Sequence, residues 1–272
     1  MLDISGSIVI YKNPPQQLQK AISSFLNTQL KVKLYLVDNS PDDRARHLCQ
    51  DPRVAYLFTG KNLGFGAGHN IALREAVNEA AYQLVLNPDV YFDSGVLEKL
   101  FEFTSTRPNI GLLMPKVLYP DGSMQYLCKK LPTPSDLILR RFLPAVLRPL
   151  VERRLAAYEL RDLDYTKVLS VAYLSGCFML MSCEALSQVG FFDERYFMYL
   201  EDLDLCRRIH QRFRTIYYPD VAIYHHYEKG SYRQLRLLMY HIQSAVRYFH
   251  KWGWFSDCER SEINRTQPCR IE

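Results

Sequence analysis

Two acidic motifs in the sequence could do chemistry. Asn87-Pro88-Asp89 follows the apolar run Leu84-Val85-Leu86, so Asp89 falls just past the end of an expected buried strand. A carboxylate there can hold Mg²⁺ or Mn²⁺, because a hard cation that also binds two phosphates needs only one or two protein carboxylates. An Asx-Pro turn accounts for the same residues as well. The second motif is Tyr199-Leu200-Glu201-Asp202-Leu203-Asp204-Leu205-Cys206-Arg207-Arg208, at the start of an expected helix. Acidic residues favour a helix N-terminus, which is one explanation. The other is a general base that removes a proton from an acceptor hydroxyl. Asp204 is expected to pair with Arg207 or Arg208 along the helix.

Three more motifs have polar or glycine-rich chemistry. Val37-Asp38-Asn39-Ser40 ends a strand. Asp38 can accept the imide N–H of a uracil or thymine ring, or can close an Asx-turn. Lys61-Asn62-Leu63-Gly64-Phe65-Gly66-Ala67-Gly68-His69-Asn70 places glycines at alternate positions before a helix. Such a loop lets backbone approach a ligand and turns free helix N–H groups toward an anion; a tight turn is the structural alternative. Its G-x-G-x-G spacing differs from the dinucleotide G-x-G-x-x-G, and it follows the third strand, not the first, which disfavours a Rossmann oxidoreductase. Finally, His225-His226 sits at a strand end with Ser231 nearby. Neighbouring strand residues point to opposite sides, so only one histidine of the pair can be a metal ligand, and a structural role for a lone histidine is the alternative.

The elements that must position these residues form an α/β pattern. Strands are expected over Ile4–Tyr11, Lys31–Val37, Val54–Phe58 and Tyr82–Leu86, with helices after Pro14-Pro15 and over Gly66–Ala81. In the first helix Leu18, Ala21, Ile22, Phe25 and Leu26 recur at helical spacing. A doubly wound sheet follows, with its polar residues at the carboxyl ends of strands, where open α/β sheets bind ligands. Residues 94–118 repeat helix then strand. A strand is expected over Val171–Met181, then a helix from Glu184, a helix over Glu201–Arg212, short strands over Thr215–Tyr218 and Val221–His225, and a basic, aromatic helix over Tyr232–Lys251. Between them, residues 132–165 are rich in proline and arginine and read as a mobile excursion with short basic amphipathic helices. The expected division is residues 1–231 as the main domain and 232–272 as a helical extension packed on it.

Composition narrows the class. The 272 residues are 48% hydrophobic and 23% charged, which excludes a disordered or collagenous chain. The net charge of +5 fits an anionic ligand or a membrane surface without demanding nucleic acid, which is not expected as a partner. Seven cysteines with no C-x-x-C pair read as free thiols in a reducing compartment. No apolar run nears the ~18 residues of a membrane span, so a cytoplasmic protein is expected, free to touch a membrane. Leu137-Ile138-Leu139-Arg140-Arg141-Phe142-Leu143 with Val146-Leu147-Arg148 mixes apolar and basic residues. So does the C-terminal set Arg233, Arg236, Arg247 and Lys251 beside Tyr240, Tyr248, Phe249, Trp252 and Trp254. Both fit an interfacial surface. For the C-terminal helix the competing reading turns Leu237, Leu238, His241, Ala245 and Tyr248 toward the protein's own core.

Taken together, these motifs resemble the family-two glycosyltransferases of GT-A fold, in particular the bacterial rhamnosyltransferase-like branch of O-antigen, lipopolysaccharide and other surface polysaccharide synthesis. The resemblance runs from Ser7-Ile8-Val9-Ile10-Tyr11 through the motifs above to Ser175-Gly176-Cys177-Phe178-Met179-Leu180, Gly190-Phe191-Phe192-Asp193-Glu194, Glu201-Asp202-Leu203-Asp204 and His225–Ser231. It implies a Rossmann-like mixed central sheet flanked by helices. It implies donor contacts at Tyr11, Asp38, Asn39, Gly64, Phe65, Asn70, Asn87 and Asp89, a divalent metal on Asp89 with His225 or His226, and acceptor contacts at Gly176 and Asp193. Asn87 replaces the first aspartate of the family's D-x-D metal motif. Asp202 would be the catalytic base, with Glu201 the alternative. The implied reaction is inverting transfer from a dTDP- or UDP-sugar, dTDP-rhamnose first, to a lipid-linked glycan at the inner face of the membrane. The alternatives are a galactofuranose or GlcNAc transferase of the same family and a non-catalytic sugar-nucleotide-binding subunit. A nucleotidyltransferase is disfavoured, because Tyr11-Lys12-Asn13-Pro14 is not a basic glycine loop.

Overall fold

A computed structural model describes residues 1–143, 148–226 and 235–271. Ser231, Arg233, Val146 and Leu147 lie outside the described residues.

The chain begins β1 (Leu2–Ile10), α1 (Pro15–Leu26), β2 (Val32–Asp38), β3 (Val54–Phe58), α2 (Phe65–Ala76) and β4 (Ala80–Leu86). Pro15 supplies the preset first turn of α1, and Leu18, Ala21, Ile22 and Phe25 are buried as their spacing predicts. β5 (Val90–Tyr91), α3 (Val96–Ser105), β6 (Ile110–Leu118) and β7 (Cys128–Lys129) follow. Next come α4 (Pro134–Phe142), α5 (Arg148–Tyr158), β8 (Leu169–Ser170), β9 (Tyr173–Leu174), β10 (Phe178–Ser182) and α6 (Cys183–Val189). The chain closes with α7 (Glu201–His210), β11 (Arg214–His225), α8 (Leu235–Trp252), α9 (Cys258–Thr266) and β12 (Cys269–Arg270).

Among the described residues the main sheet has ten strands, ordered β12-β8-β11-β6-β10-β4-β1-β2-β3, with β5 paired to β11. β1 runs parallel to β2 and β4, β2 to β3, and β6 to β11, while β10 lies antiparallel between β4 and β6. The carboxyl ends of β1, β2, β4, β6 and β11 therefore share one edge, and β10 begins there. That edge gathers Tyr11, Asp38, Asn87, Asp89, Gly176 and His225. β7 and β9 form a separate two-stranded sheet beside it.

Several elements differ from the sequence expectation. The helix expected over Gly66–Ala81 stops at Ala76, because Ala80 is already in the β1–β4 ladder opposite Leu2. The strand expected over Val171–Met181 breaks at Ser175-Gly176-Cys177, where the chain leaves the small sheet and enters the main one. The two short strands near His225 are one strand, β11, with a register irregularity between Tyr218 and Ala222. The basic excursion, by contrast, holds two short helices as expected. α4 opens on a Thr133/Asp136 capping box, and ion pairs Arg154–Asp136 at 2.9 Å and Arg140–Glu159 at 3.0 Å join α4 to α5 and the turn after it.

The C-terminal segment is tied to α7. Arg207, 1% exposed, donates to both Asp257 oxygens at 2.7 Å and to Glu259. Asp204 pairs with Arg208 at 2.9 Å, as expected, and also accepts from Lys251 and from the Trp252 indole at 2.8 Å. A buried ion pair adds little net stability, but losing one partner is costly, so this network fixes the orientation of α7. The cysteines are free thiols, as read from the sequence. No helix among the described residues is long and apolar enough to cross a membrane.

Candidate active site

The loop entering β10 and the first turn of α7 meet at Asp202. The Gly176 N–H donates to Asp202 Oδ2 at 2.9 Å, the Tyr173 hydroxyl donates to the same oxygen at 3.2 Å, and the Leu203 N–H donates to Oδ1 at 2.8 Å. Leu200 and Tyr199, both at positive φ, bend the chain sharply into α7 and set the direction of that first turn. Three donors aimed at one carboxylate restrict its rotation and fix the direction of its lone pairs. Its neighbour Glu201 points inward. Glu201 is 4% exposed, and burial followed by the Asp202 charge pushes its carboxyl up to about 8. Of the two, Asp202 is the one that remains partly accessible and can reach a substrate.

Asp89 lies next along the edge. The Asn87 N–H donates to the Cys177 carbonyl at 2.9 Å, so the Asp89 loop and the Asp202-binding loop share adjacent residues. His225 Nε2 faces Asp89 Oδ1 at 3.6 Å. The tautomer follows from Gln125. Its Nε2 donates to the His225 carbonyl at 2.7 Å and to Leu118, which turns Oε1 toward His225 Nδ1 at 3.0 Å. Nδ1 therefore carries the proton, and the Nε2 lone pair faces a carboxylate oxygen. Burial, then His226, lowers the His225 pKa to about 4, so the ring is neutral at physiological pH. A carboxylate and a neutral imidazole turned toward each other are chemically suited to a divalent cation whose other ligands come from phosphate. His226 faces another neighbour. Its ring packs on Tyr91 with centroids 5.6 Å apart, and no group of three or more metal-ligating side chains assembles among the described residues.

The glycine loop departs most from the expectation. The Gly64 N–H donates to Asn62 Oδ1 at 3.0 Å and the Phe65 N–H to the Phe197 carbonyl at 3.0 Å, so these amides are already engaged. A Cβ on Gly64, which has φ +87°, would meet that carbonyl at 2.1 Å. A Cβ on Gly66 would meet Phe192 at 2.9 Å, and one on Gly68 would meet Val9 at 2.9 Å. The glycines let α2 pack against the 192–201 segment and β1. Asn70 serves the same joint: its amide donates to Phe192 O at 2.9 Å and Glu194 at 2.8 Å, and accepts from the Phe192 N–H. Phe65 packs edge-on against His69 and Phe192. Asn39, 1% exposed, donates to Gly64 O at 3.0 Å. Asn39, Gly64, Phe65 and Asn70, expected at the donor, make these contacts within the scaffold.

Asp38 is fully buried. It accepts from the Ser40 N–H at 2.8 Å, closing the Asx-turn, and from the Tyr56 hydroxyl at 2.6 Å. Tyr11 is 45% exposed at the same edge, beside Lys12 at φ +56°. Asp193, expected near the acceptor, bonds Arg195 at 2.9 and 2.6 Å and Lys251 at 3.3 Å, and the Arg195 guanidinium first of all holds its carboxyl well below the usual range. Its role in the structure is to tie the 191–199 loop to α8. Tyr173, Gln125 and Lys129 were missed in the sequence. For Tyr173 the available signal was its position three residues before Gly176, an expected acceptor contact.

A mixed sheet with a carboxylate and histidine at one strand end, and a second carboxylate held over a neighbouring loop, defines the chain as a GT-A-type glycosyltransferase. Residues 7–190 match Glycosyl transferase family 2, and the chain belongs to that family. It is 32% identical over 241 residues to the N-acetylglucosaminyl-diphospho-decaprenol L-rhamnosyltransferase of Mycobacterium tuberculosis, covering 83% of this chain and 77% of the relative. It is 24% identical over 251 residues to rhamnosyltransferase WbbL of Escherichia coli K12, covering 89% and 90%. Among solved structures, S. aureus TarS superposes with a TM-score of 0.59 at 15% identity, covering 96% of this chain and 42% of TarS, a likeness of fold.

Proposed function

We propose that this glycosyltransferase moves L-rhamnose from dTDP-rhamnose to a hydroxyl of a diphospholipid-linked sugar, with inversion at the anomeric carbon. The observation that carries the reading is the Asp202 carboxylate, fixed by Gly176 and Tyr173 and joined through Cys177 to the Asn87–Asp89 loop. The rhamnosyltransferase named for lipid-linked N-acetylglucosamine, similar over most of this chain, supports the choice of donor and acceptor.

Asp202 takes the proton of the acceptor hydroxyl as that oxygen attacks the anomeric carbon. The nucleoside diphosphate leaves from the opposite face of the sugar. Tyr173 and the Gly176 amide keep the base aimed while it is charged, and gain nothing from moving as the proton arrives. Asp89 and His225 would hold Mg²⁺ or Mn²⁺, which supplies charge neutralisation for the departing diphosphate. Tyr11, exposed at the strand edge, would contact the thymine ring, while Asp38, fully buried, orders the loop beside it through Ser40 and Tyr56. A base typically contributes about 10²–10⁴-fold, enough for Asp202 to dominate turnover.

The exposed apolar residues fit contact with the membrane that carries such an acceptor. Leu235, Met239, Ile242 and Val246 form a stripe along α8 and are 75%, 54%, 45% and 37% exposed. Ile138 and Leu150 are exposed on α4 and α5. The aromatics that sequence reading assigned to the membrane do not supply this face. Tyr248 and Phe249 are buried, Trp252 bonds Asp204, and Trp254 packs on Phe249. The competing core reading for Ala245 and Tyr248 holds.

A panel of dTDP- and UDP-sugars, scored for acceptor-dependent release of nucleoside diphosphate, tests the reading. Release from dTDP-rhamnose above all others supports it, and preference for a UDP-sugar overturns the donor assignment.

A further inference from the structure

Lys129 is buried at 6% exposure, although lysine is among the residues least often buried. It sits on β7 directly opposite Tyr173 of β9. Its ammonium lies 5.2 Å from the centre of the Tyr173 ring, and the Tyr173 hydroxyl donates to Asp202 Oδ2 at 3.2 Å. Cation, phenol and carboxylate thus form one chain that ends on the proposed base.

Resting on the assignment of Asp202 as base, we propose that Lys129 is a positioning residue that acts through Tyr173 to hold Asp202 ionised and aimed at the acceptor. A cation against the phenol ring strengthens its hydroxyl as a donor, and the same charge acts directly on the carboxylate through a buried region. The neighbours define what Lys129 must offset. Burial keeps Glu201 and the flanking Cys177 and Cys206 thiols neutral, so the charge to be offset is that of Asp202 itself. From α4, Arg140 is paired with Glu159, and Tyr158 on α5 stands behind Tyr173. Burial first, then the Arg140 charge, lowers the Lys129 pKa to about 8, against the pull of Asp202, so the ammonium is still mostly charged at neutral pH.

The test is the pH profile of kcat/KM, whose acid limb reports the free enzyme's essential base. Lys129→Met is expected to move the acid limb up by about one pH unit while the plateau at alkaline pH falls less than about tenfold. Lys129→Arg, which keeps the charge, is expected to return the limb toward wild type. Tyr173→Phe removes the link without touching the lysine and is expected to move the limb the same way; it decides the matter if Lys129→Met does not fold. A lowered plateau with an unmoved limb in both Lys129→Met and Tyr173→Phe overturns the proposal, as does a limb that Lys129→Arg fails to restore. Asp202→Asn, assayed alongside, separates the two claims. Turnover surviving in Asp202→Asn overturns the base itself, whereas an inactive Asp202→Asn with an unmoved Lys129→Met limb overturns only the role of Lys129.

Discussion

The Gly176 amide and the Asp202 carboxylate are 2.9 Å apart, and a Cβ added to Gly176 would stand 2.9 Å from the Asp202 Cβ and 3.2 Å from its Oδ2. The glycine is therefore present for closeness of approach. Its N–H reaches the carboxylate only because nothing projects from its α-carbon.

Gly176→Ala is accordingly expected to fold with a modest loss of stability, about 1–3 kcal/mol, and to lose more than about tenfold in kcat. Steady-state kinetics beside a urea melt checks this. A variant with wild-type kcat would show that the contact does not set the base.

Removing divalent cations is expected to abolish transfer, with Mg²⁺ or Mn²⁺ restoring it. Asp89→Asn and His225→Ala are expected to raise the metal concentration needed for half activity by about 10–100-fold. His226→Ala is expected to leave it nearly unchanged, because that ring lies against Tyr91. Titration of activity against metal in chelator-treated enzyme measures all three. Full activity in chelator contradicts the assignment.

The protonated Glu201 makes stability depend on pH. Its carboxyl is raised from 4.5 to about 8 in the fold, so the folded state holds a proton that the unfolded chain releases between those values. The stability this proton confers is complete below about 4.5 and is lost as pH rises toward 8. Glu201→Gln keeps the shape without the charge. It is expected to melt several degrees above wild type at pH 8.5 and close to it at pH 4.5, read by thermal melts across pH. An equal gap at both pH values contradicts the burial account.

Much of this was legible in the sequence, and the rest was hidden for physical reasons. Asp89 and Asp202 could be read because a carboxylate at a strand end or helix start is a local signal. The pairing of Asp204 with Arg208 is local too, one turn along a helix. The scaffold contacts of Asn39, Gly64, Phe65 and Asn70 were not legible because their partners, Phe192, Phe197 and each other, are far off in the chain. A glycine loop that admits a phosphate and one that admits a neighbouring carbonyl have the same spacing. Lys129 and Tyr173 escaped because the two short strands that face them toward each other carry too few residues to show periodicity. The split at Ser175-Gly176-Cys177 was masked by apolar residues continuous on both sides.

The exposed stripe Leu235, Met239, Ile242 and Val246 is expected to bind lipid vesicles, with binding weakened by Met239→Glu together with Ile242→Glu. Co-sedimentation with anionic and neutral vesicles at low and high salt measures it. Each basic residue near the surface contributes about 1 kcal/mol, so the anionic vesicles are expected to bind more tightly and to lose that advantage in salt. Equal indifference of wild type and variant to both vesicles contradicts the membrane contact.

The most direct test supplies dTDP-rhamnose, Mg²⁺ and a diphospholipid-linked N-acetylglucosamine to wild-type enzyme and to Asp202→Asn, and determines the anomeric configuration of the product. Wild type is expected to form a rhamnosylated lipid of configuration opposite to the donor's, and Asp202→Asn to fold, bind donor and turn over about 10²–10⁴-fold more slowly. A product that retains the donor's configuration, or an Asp202→Asn enzyme with wild-type turnover, would contradict the account.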